Sequence, residues 1–211
     1  MNGDWTTEMR AAIRRDRVRQ SLIVASLAGL ALSLASCAWS PELRMAGNPG
    51  TAAGTGLGDV ALNAPVSFGG VMLCVSSPGT ATIRSVAVHQ ATGDIEVQAF
   101  ATRPNPFTRG LDGLGDKQST ITDLHLDLDP SAPATVSGAC PGDAASAPPS
   151  IAGQLVELAV QVARRQGDAA GGAALDVTYE VGGDTRTAVI PFGIWLCATT
   201  CPPEANKLYR A

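Results

Sequence analysis

The feature that most constrains this fold is a two-residue hydrophobic period that returns repeatedly between Gly and Pro breaks. Val156, Leu158, Val160 and Val162 share one parity, as do Leu175, Val177, Tyr179 and Val181. Ile95, Val97 and Ala99 alternate with Glu96, Gln98 and Phe100. Leu124, Leu126 and Leu128 alternate with Asp123, His125, Asp127 and Asp129. Successive side chains of a strand point to opposite faces, so each run predicts a strand with one buried face. The run from Val156 also fits a helix through Leu155, Leu158, Ala159 and Val162. Its Val content and turn-rich flanks favour the strand.

Breaks separate these runs. Gln90 to Asp94 reads as a hairpin turn between the β-branched segment Thr80–His89 and the run from Ile95. Gly182-Gly183-Asp184 makes a tight hairpin into Thr185–Ile190, and Gly167 to Gly172 reads as a turn. Residues 103 to 115, opening Arg103-Pro-Asn-Pro, form a long irregular loop. Pro130 ends the Leu run, and residues 130 to 150 are rich in Pro, Ala, Ser and Gly. Phe192 to Cys197 continues or closes the sheet. The expectation is an all-β, antiparallel sandwich of about seven to nine strands over residues 59–211.

The first 36 residues obey different rules. Arg10, Arg14, Arg15, Arg17 and Arg19 precede an uncharged run from Ser21 to Ser36. As a helix that run spans about 24 Å at about 1.5 Å per residue. A bilayer core of about 30 Å asks for about 20 apolar residues, so the length suits a signal-peptide core better than a permanent span. The basic flank stays in the cytoplasm, and the chain beyond the apolar run is exported. Arg14-Arg15 is succeeded by Asp16 and Arg17 instead of apolar residues, which favours the general secretory route over the twin-arginine one.

Leu34-Ala35-Ser36-Cys37 resembles the lipobox of bacterial lipoprotein precursors. The resemblance implies cleavage before Cys37 and diacylation of its thiol. The expected organisation is a signal peptide at 1–36, a flexible tether at 37–58 rich in Gly, Ala, Pro and Thr, and the sandwich at 59–211. The expected location is the extracytoplasmic face of the cell membrane, with the membrane as a partner through the lipid.

Ten basic and sixteen acidic side chains lie beyond residue 36, a net charge of −6 (fifteen and nineteen in the whole chain, less five and three). Without a basic patch, nucleic-acid binding is not expected. The apolar content is too high for a disordered chain. Cys74, Cys140, Cys197 and Cys201 make an even set in an oxidising compartment, which suggests two disulfides. Cys74 and Cys197 end similar apolar segments, Phe68-Gly-Gly-Val-Met-Leu-Cys and Phe192-Gly-Ile-Trp-Leu-Cys. That similarity favours Cys74–Cys197, with Cys140–Cys201 between loops. The alternative is Cys74–Cys140 with a local Cys197–Cys201 bridge.

The Leu-Cys strand ends, the Arg103-Pro-Asn-Pro loop and the hairpin after Tyr179 resemble immunoglobulin-like modules of bacterial surface lipoproteins, particularly those of actinobacteria. In antibody domains a Trp lies on the third strand between bridging cysteines, whereas Trp195 falls near the C-terminus. The resemblance implies no catalytic residues and no cofactor.

Cys197-Ala-Thr-Thr-Cys201 has the spacing of copper-delivery proteins with a thioredoxin fold. Those need a helix start and a downstream His, whereas His89 and His125 lie upstream, so a structural bridge is favoured. The two histidines make no metal cluster. The Asp123, Asp127, Asp129 and His125 row reads as a solvated strand face, since a straight strand does not supply six to eight oxygens to Ca2+. Phe100, Phe107 and Trp195 are read as core rather than as an exposed patch. The expected function is a binding or structural module of the envelope, with a protein or glycan partner and the 103–115 loop as its recognition surface. The alternatives are an envelope enzyme with a dispersed site and a metal- or redox-handling lipoprotein using Cys197 and Cys201.

Overall fold

A computed structural model describes residues 40–46, 53–106, 114–124, 128–140 and 154–203. The 1–36 signal and Cys37 lie outside the described residues. Eleven strands occur among the described residues, in two sheets. The first sheet holds β1 (Leu43–Met45), β2 (Ala53–Leu57), β3 (Val66–Val75), β5 (Thr92–Pro104), β6 (Asp116–Lys117), β8 (Val156–Gly172) and β11 (Phe192–Cys197). The second runs in the order β10 (Asp184–Ile190), β9 (Leu175–Val181), β4 (Ala81–Val88) and β7 (Thr135–Val136). The expected all-β sandwich is the observed architecture.

β8 is the spine of the first sheet. Val162 pairs with both Val66 and Val97, so β3 and β5 flank it on opposite sides. Gly171 pairs with both Thr92 and Trp195, which puts β11 on the β3 side further along. The turn expected at 167–172 is therefore strand. Gly171 serves close approach: a Cβ there would lie 2.2 Å from the Ile194 carbonyl oxygen and 2.7 Å from the Trp195 ring. The 37–58 tether is corrected in the same way. Leu43 to Met45 pair with Val75 to Leu73, and β2 runs parallel to β11.

The core lies between the sheets. Leu158, Val160 and Val162 of β8 pack with Ile194 and Leu196 of β11 and with Leu175, Val177 and Tyr179 of β9. Burying each such side chain contributes about 1.5–3 kcal/mol. In β3 the inward parity changes from Val66 and Phe68 to Val71, Leu73 and Val75. A bulge between Phe68 and Val71 makes the change, so both halves face the core.

Three sequence expectations fail here for physical reasons. Gln90 to Asp94 does turn the chain, but β4 and β5 belong to different sheets, so no hairpin forms. Local turn chemistry does not decide whether the flanking strands pair. Ile121 to Asp129 is not a strand where it is described: Thr122–Leu124 is a 3-10 turn. The Thr120 hydroxyl donates to Asp123 at 2.5 Å and accepts the Asp123 amide at 3.1 Å, which closes the turn. His125 and Asp127 lie outside the described residues.

The third failure is the favoured disulfide pairing. The bridges are Cys74–Cys140 and Cys197–Cys201. Cys74 comes directly after Leu73, which pairs with Val156, whereas Cys197 pairs with Ala169. The two strand-end cysteines thus sit beside opposite ends of β8. Cys140 is delivered to Cys74 by backbone bonds, from the Val75 amide to Gly138 and from the Cys140 amide to Val75, each 2.8 Å.

On the outer face of the second sheet Arg84 of β4 pairs with Glu180 of β9. The hydrogen bond from Arg84 holds the Glu180 carboxyl below its ordinary range. A folded-state value below the unfolded one means the contribution is present above the ordinary carboxylate value and fades as pH falls through the lowered one. The pair is exposed, so the effect is small. Glu180→Gln is expected to flatten the acid limb of stability slightly at pH below the ordinary carboxylate value, as read by urea midpoints. An unchanged limb would remove the pair from the account.

Candidate functional site

The outer face of the first sheet is where this chain departs from a plain sandwich. Leu158 and Val160 point inward, so Glu157, Ala159 and Gln161 alternate outward. Glu157 is nevertheless 0 % exposed. A carboxylate removed from water needs cover and partners.

The partners converge from three elements. The Arg103 Nε at the end of β5 donates to Glu157 Oε2 at 2.5 Å, and Arg103 is itself buried. The amides of Gly70 and Leu114 donate to Oε1 at 2.7 and 3.0 Å. The β3 bulge makes the room. A Cβ on Gly69 would come within 2.8 Å of Glu157 Oε1 and 2.4 Å of the Leu114 Cβ. Gly70 adopts φ +84°, a conformation that favours glycine.

The cover is the segment from Leu114 to Leu124. Leu114 and Ile121 are buried against Ala101 and Ala159, with Ala99, Leu124 and Leu128 around them. Polar links seat this strap along its length. The Gly69 amide donates to Gly115 at 2.9 Å, and the Ser67 hydroxyl donates to Ser119 at 2.8 Å. The Ile121 amide donates to Gln161 Oε1 at 2.9 Å, and Gln161 in turn donates to Gln98 at 2.8 Å. Glu157 is thus the clasp that joins both described ends of the 103–115 loop to the sheet.

Past the strap, the chain turns at Asp129. The Asp129 carboxylate accepts from the Ser131 amide at 2.8 Å and its hydroxyl at 2.6 Å, which holds the carboxyl below its ordinary range. This turn sets Pro130 and Ser131 as one wall of a cleft of about 540 Å³. The other walls are Ser85 and Val86 of β4 and Val97 to Phe100 of β5. The cleft opens between the two sheets, and its walls are apolar with neutral polar groups.

The structure scatters the site residues expected from sequence. Phe100 lines the cleft, Trp195 is buried against Gly171, and Phe107 lies outside the described residues. The three aromatics therefore form no patch that the structure describes. Cys74, Cys140, Cys197 and Cys201 are all bridged. His89 Nδ1 sits 2.8 Å from Asp176 Oδ1, just past the end of β4 that lies away from its pairing with β7. Among the described residues no three His, Cys, Asp or Glu side chains converge as metal ligands, and no helix is long and apolar enough to cross a membrane.

Sequence reasoning missed Glu157. Its signal was a single charge at the outward parity of the otherwise apolar run from Val156 to Val160. Comparison of the chain with known families, curated proteins and solved structures gives no match.

Proposed function

We propose that this chain is a membrane-tethered extracytoplasmic lipoprotein whose sandwich serves as a binding or structural module of the cell envelope. One observation carries the binding role: the cleft between β4 and β5 is walled by Val86, Val97, Ala99, Phe100 and Pro130, with Ser85, Gln98 and Ser131 among them. An apolar cleft with a few placed neutral polar groups suits recognition of an uncharged ligand. The cell-envelope assignment is supported by the lipobox-like sequence at Cys37 and by two disulfides, which persist in oxidising compartments. The likeness to immunoglobulin-like modules supports the same reading by analogy of architecture alone.

Two measurements test it. Mass spectrometry of the membrane fraction should find Cys37 acylated at a new N-terminus, and Cys37→Ser should move the chain to the soluble fraction. An unacylated Cys37 inside a longer chain removes the tether. For the cleft, a photoreactive side chain at Gln98 should crosslink an envelope component in intact cells. Ser131→Trp, which fills the cleft, should abolish that product while leaving the thermal transition within about 1 kcal/mol of the parent, as expected for an exposed site. A product that persists in Ser131→Trp removes the cleft from recognition.

A further inference from the structure

Among the described residues, the backbone edge of β10 away from β9 has no strand paired to it. Asp184 to Ile190 pair with Val181 to Leu175 in one unbroken register. The two-residue turn at Gly182-Gly183 makes its first pair hydrogen-bonded, and antiparallel pairs then alternate. Arg186, Ala188 and Ile190 therefore bond to β9. The N–H and C=O groups of Thr185, Thr187 and Val189 point the other way, and among the described residues none of these six groups has a backbone partner.

The contrast with β5 is informative. That edge strand is bulged at three places, carries Asp94 and Glu96, and ends in Pro104. Bulges, charges and proline are how natural sheets discourage edge pairing. β10 has no bulge and no Pro, and its two charges, Asp184 and Arg186, lie together at its start. Its exposed row is Thr185, Thr187 and Val189, all β-branched, and Val189 is 41 % exposed. A cleft of about 270 Å³ lies between Arg186, Thr187 and Ala188 on one side and Glu42 and Leu43 of the neighbouring β1 segment on the other.

We propose that β10 pairs antiparallel with β10 of a second copy of this chain, about a two-fold axis at Thr187. The outward groups are symmetric about that residue. Thr187 meets the partner's Thr187, and Thr185 meets the partner's Val189 on either side. Each of these three pairs exchanges both of its hydrogen bonds, so all six free groups of each edge are used. On the exposed face, Val189 covers the methyl of the partner's Thr185, a favourable cross-strand contact. Like charges never stand directly opposite: Arg186 faces Ala188 and keeps its own Asp184 at 3.5 Å, and Asp184 faces Ile190. The same patch serves both copies, which closes the assembly at two. One strand pair buries less than the roughly 1,200–2,000 Å² of a standard interface. The dimer is therefore weak in dilute solution and fills where chains are crowded.

The register gives a test with the full chain, using mild oxidation and non-reducing electrophoresis. Across a hydrogen-bonded pair the Cα atoms lie about 5.5 Å apart, within disulfide reach. Thr187→Cys should form a covalent dimer by itself. Thr185→Cys alone should not, because its counterpart lies about 13 Å away along the strand at about 3.3 Å per residue. Thr185→Cys mixed with Val189→Cys should. Thr187→Lys, which opposes two ammonium groups at the axis, should abolish the mixed crosslink at low salt and regain it at high salt. Its side chain is exposed, so folding is unaffected. The proposal is overturned if Thr187→Cys dimerises no more than Thr92→Cys on β5, or if Thr185→Cys alone crosslinks equally well.

Discussion

Glu157→Leu should destabilise this domain by about 3–5 kcal/mol, the cost of breaking a buried ion pair by removing one side of it. Arg103 would remain buried with its Nε facing apolar carbon. The Gly70 and Leu114 amides would lose their acceptor at the same time. For a domain of this size, 1 kcal/mol moves the thermal midpoint by about 2–4 °C, so the fall should be about 6–20 °C. The double variant Arg103→Met, Glu157→Leu should regain part of this. It removes the buried guanidinium that lost its carboxylate but not the two unpaired amides, each worth about 1–3 kcal/mol. Hydrogen exchange should show where the damage falls: the amides of Leu114 and Ile121 lose protection before those of β9. A Glu157→Leu protein within 1 kcal/mol of the parent, a bound set by ordinary surface substitutions, would mean that the clasp does not hold the strap.

The two disulfides should differ in weight. Cys74–Cys140 closes a loop with a sequence separation of 66, and Cys197–Cys201 one with a separation of 4. Loop-closure entropy of the unfolded chain then gives about 4 kcal/mol for the first and about 2 for the second. Cys74→Ala with Cys140→Ala should also loosen the segment at 138–140, which Val75 holds through two backbone bonds. Urea midpoints of the two double variants measure the order. If removing the local bridge costs more, loop entropy is not its main contribution. Its alternative role would be local, holding the 198–200 turn where Thr199 accepts from the Asp59 amide at 3.2 Å.

The candidate site was partly legible in the sequence. The Arg103-Pro-Asn-Pro loop stood out as long and irregular, and its first residue is half of the clasp. The other half, Glu157, lies 54 residues away, and strand parity alone marks it as an exposed charge. Only the strap that folds over the outer face makes it buried. The Leu run from 124 to 128 shows the same limit. Its period marked an apolar face correctly, since Leu124 and Leu128 do pack on the sheet. Period does not specify a strand when no neighbour supplies a ladder.

By itself, the sequence determined the strands at 81–88, 156–162 and 175–190, their inward faces and the hairpin at Gly182-Gly183, because side-chain alternation and turn conformations are local properties. The parity of Val156 to Val162 and of Leu175 to Val181 reads directly as core. It also set the chemistry available, including four bridging cysteines and a lipobox-like Cys37. The tertiary structure decided which strands share a sheet, which cysteines meet, and which outward residues lose water. Those outcomes depend on contacts between residues distant in the chain. Cys74 and Cys197 end similar segments yet sit beside opposite ends of β8, and β4 and β5 share a turn but no ladder. Burial of whole faces, summed over both sheets, outweighs any local preference in making those choices.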